Sequence, residues 1–251
     1  MSEPLSLLPT HSAVSRGRRR FPRIHRTALW WRRLFHWRQL DFEIASWQML
    51  YLLVRPRQVY RSIYYHKQTK NQWARDDPAF VILQVIGIVL LTIAYSVVGG
   101  VGTRGFFKAL VQLLLVNYIV IGAIISTATW FMANRFLRHQ SVHAADQRVE
   151  WQYAVDVHCN AFFTFFALGY VLQFLFLPVL MKTSWISLFL GNSIFALAGT
   201  AYVFITYLGF QAMPFLQHQT MFLFAIPLIA AAYLVSLFGF NISHHLLDFY
   251  F

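Results

Sequence analysis

Charged side chains are scarce in this chain of 251 residues, of which only 12% are Asp, Glu, Lys or Arg. Typical globular proteins contain roughly 25%. Between positions 183 and 247 there is no such residue at all, and hydrophobic residues make up 58% of the chain. This composition excludes an ordinary soluble domain and assigns the uncharged segment to lipid.

Cysteine is nearly absent as well. Cys159 is the only one, so no intrachain disulfide can form. No His, Cys or further carboxylate follows the paired aspartates Asp76 and Asp77 at metal-ligand spacing. The apolar segments carry no acid or base at their centres, where ion pathways and proton relays usually have them. We therefore expect no enzyme activity, no cofactor, no metal site and no ion-coupled transport.

Five long apolar windows are present instead. A helix needs roughly 20 apolar residues to cross a hydrocarbon core about 30 Å thick, because every backbone polar group must be bonded within the segment. The predicted fold class is therefore all-α, a polytopic bundle of five transmembrane helices. The last two windows are interpreted as separate spans joined by a loop, with one long broken segment as the alternative. The windows are residues 79–98, 109–132, 161–180, 185–209 and 221–240.

Basic residues are distributed unevenly along the chain. Of the 21 Lys and Arg residues, 15 precede residue 79, three lie between the second and third windows, and three lie on the opposite side of the bundle. Positive charge near the ends of spans is retained in the cytosol. The count of eighteen against three predicts a cytosolic N-terminus, and an odd number of spans then places the C-terminus in the lumen.

The first 41 residues are interpreted as a basic cytosolic arm. The arm is polar at its start, as disordered segments are, and then becomes amphipathic, with aromatic and arginine residues at helical spacing. Such a segment suits the anionic lipid headgroups of a membrane surface or the phosphates of RNA. Packing of the aromatics against the rest of the arm is the alternative. The residues predicted to make these contacts are Arg18, Arg19, Arg20, Trp30, Trp31, Arg32 and Arg33.

Residues 42–78 are predicted to form two short cytosolic helices broken at Pro56. The segment 47–54 is apolar but too short to span a membrane. Proline is tolerated at the first position of a helix, where a missing N–H costs little. We expect a helical hairpin that lies on or beside the membrane.

A dense polar run, KQTKNQWARDDPAF at residues 67–80, leads into the first window. Asp76 and Asp77 directly precede Pro78, where carboxylates cap a helix and favour its positive end. The run carries more side-chain chemistry than a cap needs, so recognition of a cytosolic partner is the second interpretation. The residues assigned to that recognition are Lys70, Trp73, Arg75, Asp76 and Asp77.

A second polar element, residues 146–163, leads into the third window. If it is helical, Arg148, Gln152, Asp156 and Asn160 share one face. Asp156 and His158, two positions apart, do not face each other on a helix, so an interfacial polar pair touching the run at 67–80 is favoured over proton transfer or a metal site. The residues added to the predicted partner-binding set are Glu150, Trp151, Asp156 and His158.

Four segments in this order resemble blocks of the UNC-fifty (uncoordinated-fifty) family, Golgi multispanning membrane proteins that include the fungal Gmh proteins. They are WQMLYLLVRP at 47–56, the run at 67–80, VEWQYAVDVH at 149–158 and YLGFQAMPFL at 207–216. The resemblance covers about residues 42–251. The arm before Asp41 matches none of these blocks and is interpreted as specific to this chain.

The resemblance implies a Golgi protein that acts in vesicular protein transport and in the trafficking of receptors to the cell surface. It also implies a cytosolic partner, an Arf guanine-nucleotide exchange factor, which the two polar elements would recruit. RNA binding has also been attributed to a member of the family. RNA binding through the arginine-rich arm, and a lipid-handling or channel-like activity, are therefore kept as alternatives.

The charge distribution makes a prediction about topology. In sealed Golgi vesicles, added protease should remove a tag from the N-terminus and spare a tag at the C-terminus. Immunoblots of both tags measure this, and detergent should make both accessible. A protected N-terminal tag would contradict the predicted orientation, and loss of both tags from sealed vesicles would contradict the odd number of spans.

Overall fold

The computed structural model describes residues 40–70, 72–139 and 147–250. These residues form helices joined by turns, and no β-strand occurs among them. Five of the helices are long and apolar enough to cross a membrane. The predicted all-α fold with five membrane spans is confirmed.

The helices are numbered here in chain order, and the five candidate spans are α3 to α7. Within α4 and α5, the segments Val111–Val120 and Phe166–Val171 are π-helical, and α7 begins as a 3₁₀ helix. The bounds are α1 Phe42–Val54, α2 Pro56–Lys70, α3 Ala79–Val98, α4 Thr103–Phe136, α5 Trp151–Leu175, α6 Trp185–Gln211, α7 Gln219–Ser236 and α8 Ile242–Tyr250.

The observed bounds agree with the predicted windows for α3 and, within two residues, for α6. The helix α4 begins at Thr103 rather than 109, and α5 begins at Trp151 rather than 161. The first turns of α5 carry polar residues, which lower the mean hydropathy there, so the predicted window begins later than the helix does. The C-terminal helix α8 has no counterpart among the windows, because it is short and follows the last span.

The arm at residues 1–39 lies outside the described residues, and with it Arg18, Arg19, Arg20, Trp30, Trp31, Arg32 and Arg33. The two helices predicted on either side of a break at Pro56 are present as α1 and α2. The helix α1 packs on α3 and α5, and α2 packs on α1 and α6. The hairpin is therefore attached to the end of the bundle where α3 begins.

The helix α5 lies at the centre of the bundle. Of its span, 56% is buried, whereas the other four spans are each buried to 33% or less. It packs mainly between α4 and α6, and its Phe163 ring meets Phe80 of α3 edge to face at 5.9 Å between centroids. The other spans are thus arranged around one helix.

Glycines allow the spans to approach α5 closely. A Cβ on Gly209 of α6 would come within 2.7 Å of the Val157 side chain, and a Cβ on Gly122 of α4 would come within 2.2 Å of the His158 imidazole. Lipid gives helices no hydrophobic drive to associate, so close packing of this kind carries much of the interaction between spans.

Two asparagine side chains link spans by hydrogen bonds. Asn117 of α4 donates to the Tyr170 hydroxyl of α5 at 3.1 Å. Asn192 of α6 donates to the Ser236 hydroxyl of α7 at 2.9 Å and to the carbonyl of Phe240 at 2.8 Å. Interhelical hydrogen bonds in membranes contribute roughly 0.6 kcal/mol each, so these bonds supplement the close packing.

The close contact at Gly122 predicts that Gly122→Ala destabilises the bundle. The added methyl group must displace the buried His158 ring, and overpacking of this kind costs about 1–3 kcal/mol. The measurement is the melting temperature of detergent-solubilised protein, followed by size-exclusion chromatography after heating. Gly87→Ala is the control, because a Cβ there would lie 3.7 Å from Phe166, an ordinary contact distance. Equal melting temperatures for the two variants would contradict this account.

Candidate functional site

The polar run at 67–80 crosses the end of the bundle where α3 begins and contacts α5, α2 and the loop after α6. We call this region the signature junction. Three of the four sequence blocks meet in it, and the fourth, in α1, packs beside it on α3 and α5. The junction is formed by Tyr60, Trp73, Arg75, Tyr153, Asp156, Asn160, Gly209 and Phe215.

Arg75 joins the run to the polar face of α5. Its backbone N–H donates to the Asp156 carboxylate at 2.7 Å, and its guanidinium donates to the side-chain oxygen of Asn160. The guanidinium carbon lies 4.0 Å from the centroid of the Phe80 ring, a cation–π distance. The expected contact between Asp156 and the run at 67–80 is therefore present.

Asn160 extends this network to the hairpin. Its amide donates to the Tyr60 hydroxyl of α2 at 3.3 Å. Tyr60 is buried, and burial raises the pKa of its hydroxyl above the ordinary value, so the group stays neutral. The backbone of Gly209 passes close by, since a Cβ there would lie 3.3 Å from the Tyr60 oxygen. The network thus spans α2, α5 and α6.

Trp73 of the polar run packs among aromatic rings of α2, α5 and the loop after α6. Its ring centroid lies 5.9 Å from that of Tyr153 on α5, 6.2 Å from Tyr64 on α2 and 6.4 Å from Phe215 in the loop after α6. The Lys67 ammonium lies 5.7 Å from the Trp73 ring. Trp73 is therefore a packing residue of the junction, half-buried among aromatics.

Asp77 acts as the predicted helix cap. One carboxylate oxygen accepts a hydrogen bond from the N–H of Ala79 at 3.0 Å, at the start of α3. The other accepts from the N–H of Asp41 at 2.7 Å, directly before α1. Asp76 accepts from the Gln72 amide at 2.8 Å, and Lys70 ends α2. Asp77 therefore links the N-terminal ends of two helices.

The third sequence block, residues 149–158, begins at Val149, which is hydrogen-bonded to α4. The Val149 N–H donates to the Asn134 side chain at 2.9 Å, and the Val149 carbonyl accepts from the Trp130 indole at 2.9 Å. The segments after α4 and α6 also pair, since the Gln217 N–H donates to the Leu137 carbonyl at 2.7 Å. The connections at this end are thereby held to one another.

The other predicted site residues lie in two different environments. Trp151 and Glu150 are at the start of α5, where Trp151 is 45% exposed and Glu150 half-buried. His158 is 5% exposed, with one ring nitrogen 2.7 Å from the Tyr202 hydroxyl and the other 3.1 Å from the Tyr118 carbonyl. A soluble partner cannot reach His158, so we do not include it in a proposed binding surface.

The junction is held together by hydrogen bonds and ring contacts, and the Arg75 and Asp156 charges attract each other within it. Asp156 faces Arg75 while His158 faces α4 and α6, which agrees with their spacing on a helix. Within the described ranges, no three His, Cys, Asp or Glu side chains are grouped closely enough to hold a metal ion. Cys159 is buried beside the Tyr118 hydroxyl at 3.3 Å.

Sequence reasoning missed two tyrosines of the junction. Tyr60 belongs to the apolar face of α2, and that pattern carries no information about its bond with Asn160. Tyr153 donates its hydroxyl to the Gly209 carbonyl at 2.6 Å. The glycine at 209, placed within an apolar helix, was the available signal that another element passes close to α6.

This arrangement defines a polytopic helical membrane protein with five spans, whose connections on one side are joined by a buried polar network. No solved structure matches it. The chain belongs to the UNC-50 family, which matches residues 30–251. The predicted resemblance is confirmed.

Several relatives are similar to nearly the whole chain. It is 40% identical over 246 residues to the protein unc-50 homolog of Dictyostelium discoideum, covering 96% of this chain and 92% of that one. It is 42% identical over 221 residues to the protein unc-50 of Caenorhabditis elegans, covering 87% and 72%. The protein unc-50 homolog of Homo sapiens is 40% identical over 222 residues, covering 87% and 85%.

The family match corrects the interpretation of the arm. It begins at residue 30, upstream of the boundary at 42 that the four blocks indicate. Residues 30–40 therefore belong to the family region and are not specific to this chain. The aromatic and basic residues at 30–33 fall within this region.

The network at Arg75 predicts energetic coupling between the run and α5. Arg75→Gln and Asp156→Asn should each lower the melting temperature, and the double variant should lose less than the sum, with a coupling of about 1 kcal/mol. The reason is that removing either charge ends the electrostatic attraction between the Arg75 guanidinium and the Asp156 carboxylate, so the second removal costs less. The control pairs Arg75→Gln with Asp248→Asn, an exposed carboxylate of α8, where the effects should add. Additive effects in both pairs would contradict the coupling.

Proposed function

We propose that this protein acts in vesicular protein transport at the Golgi membrane. In this proposal it recruits a cytosolic factor of the Arf guanine-nucleotide exchange class and supports the delivery of receptors to the cell surface. Membership of the UNC-50 family, which is not a known enzyme family, supports a non-catalytic role in a membrane. The observation that carries the proposal is the meeting of three sequence blocks at the signature junction, next to an exposed tryptophan.

Trp151 has the properties of a contact residue for another protein. Its side chain is 45% exposed, yet its indole N–H donates to the Thr127 hydroxyl at 3.1 Å, which holds the ring in one orientation. Interfaces are enriched in tryptophan, and a ring that is already held loses little conformational entropy on binding. Glu150 beside it and exposed Arg148 supply a charged rim.

The position of this surface supports a cytosolic partner. The signature junction lies at the end of the bundle that carries the loops after α4 and α6 and the start of α3. The positive charge count predicts that this same end faces the cytosol. A factor recruited from the cytosol would meet Trp151, Glu150 and the half-buried Asp76 together with the ends of α4 and α6.

The alternatives receive less support from the described residues. The arm that would bind RNA lies outside them. A cavity inside the bundle, lined by Thr92, Tyr95 and Gln173 among others, measures only about 10 Å³, which is room for about one water molecule. A solute could not pass through such a cavity, so its size does not favour a channel-like activity.

The proposal predicts that Glu150→Gln/Trp151→Ala abolishes recruitment and leaves the protein in the Golgi membrane. A biotin ligase fused to the N-terminus should label Arf exchange factors with the wild type and at least severalfold less with the variant. Delivery of a reporter receptor to the cell surface should fall in parallel. The α5 helix keeps its buried face in this variant, so protein level and Golgi location should be unchanged.

Trp185→Ala is the matched control, because Trp185 is also exposed, at 65%, at the start of a span but at the opposite end of the bundle. If both tryptophans only anchor the chain at the membrane surface, the two variants should behave alike, which would contradict the proposal. Asp76→Asn tests the polar run separately, since the Asn side-chain oxygen can still accept the bond from the Gln72 amide. Normal labelling by this variant would limit Asp76 to a structural role.

A further inference from the structure

A groove of about 800 Å³ opens at the elbow between α1 and α2, on the side where the hairpin meets the flank of α6. It is separate from the signature junction and shares no residue with it. The elbow is formed by Arg55, at the end of α1, and Pro56, at the start of α2. The groove therefore belongs to the hairpin and its contact with the bundle.

Three exposed arginines line this groove, namely Arg55, Arg57 and Arg61. Arg57 and Arg61 are one turn apart on the same face of α2. Among the described residues that line the groove there is no acidic side chain. Guanidinium groups bind phosphate oxygens through two parallel hydrogen bonds. The groove thus offers a concentrated site for one phosphate-bearing anion.

The opposite wall of the groove is apolar. It includes Val54, whose side chain is 67% exposed, the half-buried Trp47, and Phe204 of α6. Phe204 precedes the end of α6 at Gln211 by two helical turns, or about 10 Å along the axis. This places it within the hydrocarbon layer if α6 ends at the membrane surface. The groove therefore leads from the arginines to the depth of acyl chains.

The hairpin has the composition of an interfacial structure. With 13 residues, α1 is too short to span, yet Ile44 and Leu50 are 54% and 60% exposed. A short apolar helix followed by a basic one fits the boundary between headgroups and acyl chains. A soluble phosphate or an RNA strand would leave the apolar wall exposed, whereas a phospholipid covers both walls.

We propose that the elbow groove binds one anionic phospholipid of the leaflet in which the hairpin lies. The headgroup phosphate contacts Arg55, Arg57 and Arg61, and an acyl chain lies along Val54 and Phe204. A net negative headgroup is preferred because the choline group of a zwitterionic lipid adds a positive charge beside the arginines. This site is independent of partner recruitment at Trp151.

Native mass spectrometry of the full-length protein in mild detergent tests the site, with phosphatidylserine and phosphatidylcholine as probes. The wild type should retain one phosphatidylserine about tenfold more strongly than phosphatidylcholine, as expected for arginines close to an anionic headgroup. Arg55→Gln/Arg57→Gln/Arg61→Gln should reduce this preference to about twofold or less. If the triple variant folds poorly, Arg61→Gln alone replaces it in the test, because Arg61 is at an exposed position of α2. The single variant should show an intermediate loss of the preference for phosphatidylserine.

The control variant is Arg104→Gln/Arg135→Gln/Lys182→Gln, which removes the same charge at exposed positions outside the groove. It should keep the tenfold preference. Glycerophosphoserine, which has the headgroup without acyl chains, should not displace the lipid at equal concentration. The proposal is overturned if the wild type does not distinguish the two lipids, if the control loses as much preference as the groove variants, or if glycerophosphoserine displaces the lipid.

Discussion

The polar side chains on one face of α5 need hydrogen-bond partners inside a bundle that is otherwise apolar. Asp156 and Asn160 lie on the most buried span, and a carboxylate or amide removed from water without partners destabilises a fold by several kcal/mol. Arg75 provides these partners with its backbone N–H and its guanidinium. Because Arg75 lies just before α3, this contact also fixes where the first span begins relative to the central one.

Other parts of the fold follow from that contact. The chain that carries Arg75 also carries Trp73, which packs between α2, α5 and the loop after α6, and Asp77, which caps α3 and holds the start of α1. The hairpin, two spans and one loop are thus positioned by a few adjacent residues. In a membrane, where apolar helices gain little by meeting each other, such polar contacts at the ends of spans are well suited to specify the arrangement.

The residues at this end divide into an internal and an external set. Trp73, Arg75, Asp77 and Asp156 make ring contacts or hydrogen bonds within the protein, and these contacts give their presence in the sequence blocks a structural explanation. Trp151 and Glu150 at the start of α5, and the three arginines at the hairpin elbow, are directed outward. The two proposed binding surfaces therefore lie beside the buried network, on elements that the network holds in place.

The sequence by itself determined the membrane class, the five spans, the break at Pro56 and the cap at Asp77. Each of these depends on local properties, such as the length of an apolar run, the missing N–H of proline or the proximity of a carboxylate to a helix start. The window at 161–180 starts later than α5 because Gln152, Asp156 and Asn160 lower local hydropathy, although the sequence allows a helix over 146–163 that leads into it. The burial of Asn160 becomes favourable only through Arg75, which is distant in sequence.

The bonds of Arg75 to Asp156 and Asn160, of Tyr60 to Asn160 and of Tyr153 to Gly209 were decided by the tertiary structure. The same is true of His158, whose side chain the sequence placed at a surface and the bundle buries between α4 and α6. These contacts join residues between 40 and 100 positions apart. Helical periodicity indicates which side chains share one face of a helix. Which element packs against that face depends on how the other four spans are arranged around α5.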